Sequence, residues 1–242
     1  MRLESIPLAR VRWRPSYRII PTRFPAIQLY ERVASAEDLE AVFSVEALTN
    51  NRLRNEINEL ELVTPDERVA GPGSSFIMSA FTRLNPVGSR FSDGSFGIYY
   101  CAHGEATAVA ETVYHRARFL ASTDEPACEL DMLVLHADLN AELYDLRAVA
   151  KAEPVLDPDD YHAGQQLGQH LKAAGAWGVT YPSVRHAKGE CAAVLRPRAL
   201  SRLRPGRHLC YVWDGQTITQ VYEKRGLREL RDNSGTVFPS RR

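Results

Sequence analysis

The chain has 242 residues, a mass of 27.1 kDa, and 30 basic side chains against 30 acidic ones. A chain of this length buries about 70–75% of its unfolded surface and needs neither disulfides nor a metal to hold a core, and 25% charged with 44% hydrophobic residues is globular rather than disordered composition. Zero net charge excludes coating of nucleic acid through bulk positive charge, and the absence of an apolar leader or of any run of about 18 apolar residues makes a cytoplasmic, non-membrane protein the expectation.

In chain order, residues 1–28 hold Pro7, Pro15, Pro21 and Pro25 among arginines and aromatics, which predicts an extended, docked arm rather than a helix. Leu29–Ala34 has a short strand-like character. Ser35, Ala36, Glu37 and Asp38 then read as a helix start, a Ser cap with acidic residues in the first turn. Helices are expected from about 36 to 48 and 50 to 62, a loop over 64–75, and a short helix over 76–83. Residues 85–97 are turn chemistry throughout.

Gly97–Ala102 is a short apolar strand that runs into a helix with Ala106, Val109, Ala110, Val113, Ala117 and Leu120 on one face. Further strands are expected over 129–139, 143–146, 177–181 and 192–195, with a helix over 160–174 ended by Gly175. Residues 209–223 alternate around Asp214-Gly215, a strong hairpin signal. Short strands with intervening helices and a closing hairpin argue for an α+β fold, with one domain over 29–225, a helical insertion at about 36–83 and a tail at 226–242.

The zero charge conceals two asymmetries. Of the 30 basic residues 26 are Arg and 4 are Lys, and Arg is the residue that forks onto carboxylates and phosphates; a codon bias toward Arg accounts for most of that excess. Residues 1–36 carry 7 basic and 2 acidic side chains (net +5), 185–242 carry 13 and 5 (net +8), and the segment between carries 10 and 23 (net −13). Basic ends and an acidic middle attract each other in the fold or attract different partners. The four cysteines form no CxxC, there is no HExxH, and the seven histidines are scattered singly, so buried free thiols and no metal site are expected.

Chemistry-bearing residues gather in two stretches. Arg90 sits in a Gly/Ser loop whose backbone amides suit an anion, although neither GxGxxG nor a GKS/GKT motif is present. Tyr100 lies near the end of the next strand, and Glu111 lies on the next helix, beside its apolar stripe. A carboxylate there is partly desolvated and needs a hydrogen-bond donor. Downstream, Ser183 follows Pro182 at a strand end, in a loop with Arg185, His186, Lys188 and Gly189. It lacks a GxSxG elbow, and His186 three residues on makes no triad.

Together these stretches resemble the RES domain family, whose members show a G-x-R-F/W loop, a strand ending in Y-x-A, a helix with a key Glu about eleven residues after the Tyr, and a P-S…G-E…L-x-P segment. The matching residues here are Arg90, Tyr100 with Ala102, Glu111, Ser183, Gly189, Glu190 and Pro197, and the resemblance covers roughly residues 29–213. The family's first Arg lies on an opening strand. Arg32, in a Leu-Tyr-Glu-Arg-Val context before a helix start, is the favoured match, and Arg18 in Tyr-Arg-Ile-Ile is the alternative.

The resemblance implies a fold like that of ADP-ribosyltransferases, with a split sheet and flanking helices, and NAD as a substrate with no metal. It further implies a toxin of a bacterial type II toxin–antitoxin pair, held in a hetero-oligomer by an Xre-type helix-turn-helix antitoxin. That toxin consumes NAD by phosphorolysis or hydrolysis, or ADP-ribosylates a protein target. On that chemistry Arg32 and Arg90 bind the diphosphate, and Glu111 stabilises an oxocarbenium-like ribose. Tyr100 stacks on nicotinamide or ribose, and Ser183 positions Glu111 or nicotinamide. The reading from another class is a catalytically inactive module that binds a nucleotide or a partner.

Overall fold

The opening segment already shows how the sheet is built. In the structure, a computed structural model that describes residues 1–22, 61–149, 152 and 154–225, Leu8–Pro21 is a long strand, β1. Arg10, Arg12 and Arg14 stay exposed on it while Val11 and Trp13 between them are buried, the period-two alternation of a strand with one wet face. The expected extended arm is therefore extended, but as a full member of the sheet. Pro15, which has no N–H to give, sits where the register against its partner strand shifts, between Trp13 and Ser16. The strand expected at 29–34, the helices expected at 36–48 and 50–62, and the tail at 226–242 lie outside the described residues.

Among the described residues seven strands and three helices follow one another as β1, α1 (Ser74–Thr82), β2 (Tyr99–Ala102), α2 (Glu105–Ala121), β3 (Cys128–Asp145), α3 (His162–Ala173), β4 (Gly178–Pro182), β5 (Glu190–Val194), β6 (Leu200–Trp213) and β7 (Ile218–Lys224). The two extended pieces expected at 129–139 and 143–146 are one strand of 18 residues, β3. The hairpin expected around Asp214-Gly215 is β6–β7. The Asp214 side chain accepts from the N–H groups of Gln216 and Thr217, at 2.8 Å each, and Gly215 takes a φ of +101°.

The sheet runs β1-β2-β5-β4-β3-β6-β7, and β1 also pairs with β3. Five strands thus close a circuit, β1-β2-β5-β4-β3 and back to β1, from which β6 and β7 extend. The closure depends on β3, whose residues 128–139 pair with β6 while Tyr144 and Asp145 pair in parallel with Val179 and Thr180 of β4. All other pairings are antiparallel. This mixed sheet with helices on its faces is an α+β fold.

Both faces are apolar at the middle of β3, where Met132–Leu135 are buried in succession, and beyond it polar residues alternate with buried apolar ones. Leu135, Leu139 and Leu143 pack with Ile77, Met78 and Phe81 of α1 on one side, whereas Met132 and Val134 pack with Ala108 of α2 and Leu167 and Leu171 of α3 on the other. Each such side chain contributes about 1.5–3 kcal/mol relative to exposure. The basic C-terminal segment does seek the acidic middle: Arg202 pairs with Asp138, Arg207 with Glu105, Arg196 with Glu67 and Lys224 with Asp131. All four cysteines are free, and three are buried. No helix among the described residues is long and apolar enough to cross a membrane.

Candidate active site

On the face covered by α2 and α3, a cavity of about 510 Å³ opens between β1, β2 and α2. Ala108, Glu111, Thr112, His115, Arg116 and Phe119 of α2 all line it, the i, i+3, i+4, i+7 spacing of one helical face. The sequence placed the inward stripe about one residue off. Ala106 is exposed, while Thr107 and Ala108 are buried. The rotation puts Glu111 on the inward face rather than at its edge, with its side chain 20% exposed.

Glu111 is held in place. Its Oε1 accepts from the Ser183 hydroxyl at 2.6 Å and lies 3.8 Å from the Cys191 thiol, and its Oε2 lies 4.0 Å from His115 Nε2. The Ser183 oxygen itself accepts from the N–H groups of Arg185 (3.2 Å) and His186 (3.0 Å). Its two lone pairs are occupied, so its one proton points at Glu111. The Ser183 hydroxyl is thus directed at the carboxylate as a donor. His186, which makes no catalytic pair with it, bonds Thr107 through Nδ1 at 2.9 Å.

Arg90 is only 7% exposed and lines the cavity. Its guanidinium lies 4.6 Å from the Tyr161 ring centroid, and Nη1 donates to the Asp157 carbonyl at 2.6 Å. The loop around it differs from a ring of free amides. The N–H of Gly88 bonds Asn85, that of Ser89 bonds Ser92, that of Phe91 bonds the Tyr100 hydroxyl and that of Gly94 bonds Ser92. With those donors spent inside the fold, the loop offers an anion the Arg90 side chain instead.

Tyr100 is the clamp of this loop. Its hydroxyl accepts from Phe91 N–H at 3.0 Å and shares a bond with Ser89 at 2.9 Å, gripping the residues on both sides of Arg90. Burial pushes its pKa up to about 12, so it stays protonated. From behind, α3 seats the same loop. A Cβ on Gly168 would lie 1.7 Å from the Phe91 carbonyl oxygen, and one on Gly164 would lie 2.3 Å from that of Arg90.

Of the two candidate opening arginines, Arg32 lies outside the described residues and Arg18 is on the cavity wall. Arg18 donates to the Tyr100 carbonyl at 3.0 Å and stands 4.7 Å over the Tyr99 ring, and burial lowers its pKa; a guanidinium nonetheless stays charged. Three more groups were not singled out from sequence. Arg116 and His115 line the wall, and Arg185 packs 3.3 Å from the Tyr114 ring centroid beside Ser183. The signal for the first two was their spacing from Glu111 on one helix. The signal for Arg185 was its place two residues after Ser183 in the same loop.

A cavity of this volume suits a small-molecule ligand, and a wall with Arg18, Arg90 and Arg116 suits a doubly charged diphosphate. Among the described residues Glu111 is the one carboxylate on that wall. Among the same residues no three His, Cys, Asp or Glu side chains are grouped to hold a metal.

A family model for the RES domain matches residues 65–214. An uncharacterized protein of Sinorhizobium fredii (strain NBRC 101917 / NGR234), y4oC, is 35% identical over 208 residues, which are 85% of this chain and 86% of that one. A crystal structure of the M. tuberculosis MbcT–MbcA toxin–antitoxin complex aligns with a TM-score of 0.46 at 13% identity, covering 92% of this chain and 89% of that one.

Proposed function

This chain belongs to the RES domain family, and from that membership and the cavity we propose that it is an NAD-consuming enzyme, the toxin of a toxin–antitoxin pair, that breaks the nicotinamide–ribose bond of NAD+. The observation that carries the reading is a single fixed carboxylate, Glu111, on a wall otherwise charged by arginines.

The residues divide the work. Arg18 and Arg90 hold the diphosphate, each already oriented by a carbonyl and an aromatic ring. Tyr100 fixes the Arg90 loop and presents its ring to the ligand, and Ser183 fixes Glu111. As the C1″–N1 bond breaks, its electron pair passes to the pyridinium nitrogen and nicotinamide leaves neutral. The positive charge that grows on the ribose faces Glu111, where a preorganised carboxylate in a water-poor site lowers the barrier. Arg32 remains a second candidate for the diphosphate. Arg18→Ala and Arg32→Ala decide between them, because the arginine that binds substrate raises KM for NAD+ about tenfold or more.

The ADP-ribosyl acceptor is phosphate or water in the leading reading. A protein acceptor is the second reading, and the observation that favours it is Phe119, a cavity-wall side chain that is 55% exposed at the rim, where a protein would dock. The enzyme acts in the cytoplasm, with a helix-turn-helix antitoxin of Xre type as partner. The test is incubation with NAD+, with and without phosphate, and mass spectrometry of the products. ADP-ribose-1″-phosphate, free ADP-ribose and a modified protein report the three acceptors. No turnover by folded, antitoxin-free protein, or full turnover by Glu111→Gln, defeats the reading and leaves an inactive binding module.

A further inference from the structure

A water or alcohol acceptor must lose a proton as its oxygen bonds C1″, and Glu111 cannot take it; phosphate at neutral pH attacks through an oxygen already ionised and makes no such demand. A carboxylate that accepts the proton forfeits the negative charge that stabilises the ribose cation. Its Oε1 is also already committed to Ser183. The remaining wall offers little else. Arg18, Arg90 and Arg116 are permanent cations. Burial keeps the protons on Tyr100, Cys101, Tyr181 and Cys191, with Tyr100 and Cys101 each pushed up to about 12 and Tyr181 and Cys191 raised as well.

Among the described residues one imidazole remains on the wall. His115 lies one turn beyond Glu111 on the cavity face of α2, its Nε2 4.0 Å from Glu111 Oε2, with a side chain 49% exposed and so open to an entering acceptor. We propose that His115 is the general base of this reaction and removes the proton of the acceptor hydroxyl through Nε2 while Glu111 stabilises the ribose. This rests on the NAD-cleaving reading and adds a catalytic residue to it.

The electron count closes. The acceptor O–H bond breaks and its proton goes to His115 Nε2. The freed oxygen pair forms the bond to C1″, and the C1″–N1 pair leaves with nicotinamide. The surroundings of His115 suit a base that must be empty before the step, and Glu111 alone among the charges named favours the protonated ring after it. Burial is the main cause that lowers its pKa, and Arg90 across the cavity, Arg185 from the loop after β4 and Arg118 on its own helix act in the same direction; Glu111 opposes them. That direction favours the neutral imidazole, the form that can accept a proton. Once protonated, it faces the Glu111 carboxylate. The Tyr114 ring meets it edge-on at 5.3 Å.

The test is His115→Gln in the full chain, assayed for NAD+ cleavage from pH 6 to 9 in phosphate-free buffer, with water as the acceptor. A half-exposed helix position accepts Gln without loss of fold, to be checked by circular dichroism. The expected result is a fall in kcat of about 10²-fold at pH 7, the low end for general-base catalysis, with KM for NAD+ within about threefold. The deficit should shrink as pH rises, because hydroxide needs no base. A kcat within threefold of wild type at pH 7, or a deficit constant across the whole pH range, overturns the proposal while NAD+ cleavage stands. A wild type that cleaves no NAD+ overturns the functional reading itself, and this inference with it.

Discussion

Removing the Ser183 hydroxyl tests the central geometry with the smallest perturbation. In Ser183→Ala the Glu111 carboxylate loses its 2.6 Å donor, and the N–H groups of Arg185 and His186 lose their acceptor. A hydrogen bond to a charged group is worth about 1.5–3 kcal/mol. If that energy holds Glu111 in its reactive orientation, kcat for NAD+ cleavage falls by about 10- to 150-fold, at 1.36 kcal/mol per factor of ten. Because Ser183 is absent from the cavity wall, KM should stay within about threefold. The two part-buried backbone donors lose their acceptor, so stability should drop by about 0.5–1.5 kcal/mol for each, a few degrees in Tm. Ser183→Thr keeps the donor and should recover most of the rate, which a purely structural role would not require. Steady-state kinetics beside a thermal melt give both numbers. A folded Ser183→Ala with kcat within twofold of wild type refutes the claim that this bond orients the carboxylate.

Other contacts make equally definite predictions. Tyr100→Phe strands the buried Phe91 N–H and frees the Arg90 loop, so the urea midpoint should fall by an amount equivalent to about 1–3 kcal/mol and KM for NAD+ should rise; an unchanged midpoint counts against the clamp. Gly168→Ala would ordinarily stabilise a helix by about 1 kcal/mol, but its Cβ meets the Phe91 carbonyl at 1.7 Å. Net destabilisation of about 1–3 kcal/mol is expected instead, and a stabilised variant in urea denaturation would show that α3 does not seat the loop. Asp145 accepts from the Arg147 guanidinium at 2.8 and 2.9 Å and from its backbone N–H at 3.0 Å, and these bonds hold its pKa below the ordinary carboxylate range. A carboxylate with a depressed folded pKa adds stability above its unfolded pKa and loses it as pH falls through the folded value. Asp145→Asn should therefore cost about 1–3 kcal/mol at pH 7 and clearly less at pH 3. Equal losses at both pH values would contradict the ion-pair origin.

Much of this fold is legible in the sequence, and the misses have physical causes. The turn chemistry of 85–97, the strand at Tyr99–Ala102 running into α2, and the hairpin at Asp214 all obey local rules of period and punctuation. β1 was hidden by four prolines, although Arg10-Val11-Arg12-Trp13-Arg14 alternates with strict period two. Pro15 belongs to the strand because a register shift absorbs its missing donor. The inward face of α2 was set one residue off because alanines mark a stripe weakly, while Thr107 and Thr112 are buried or half-buried by contacts from other elements: Thr107 with His186, Thr112 with Tyr211. At the site, Glu111 and Ser183 were nameable from the family pattern, but the bond between them joins residues 72 positions apart in sequence. Tyr100 shows the other limit. Its aromatic ring suggested stacking, whereas its hydroxyl binds the loop that carries Arg90.

The circuit of strands explains why residues so far apart in sequence share one cavity. β2 and β4 both run antiparallel to β5, with Cys101 opposite Ala192 and Ala192 opposite Thr180, so they are parallel to each other and end at the same edge. The chain leaves β2 there to start α2, and it leaves β4 there at Ser183. His103 N–H and Ser183 N–H bond the carbonyls of the adjacent residues Glu190 and Gly189, at 2.9 and 2.8 Å. Glu111 and Ser183 therefore meet across the end of β5. Gly189, where a Cβ would lie 2.7 Å from Thr107, permits the close approach. On the other side β1 pairs with β2 at Tyr17 and Ala102, which sets Arg18 against the Tyr100 carbonyl. A shift of one residue between β2 and β5 would turn Tyr100 to the opposite face of the sheet. The Arg90 loop would lose its clamp and the carboxylate its aligned serine in the same step. The positions of the charged groups are thus fixed by pairing register, and the chain between them is free to vary in length.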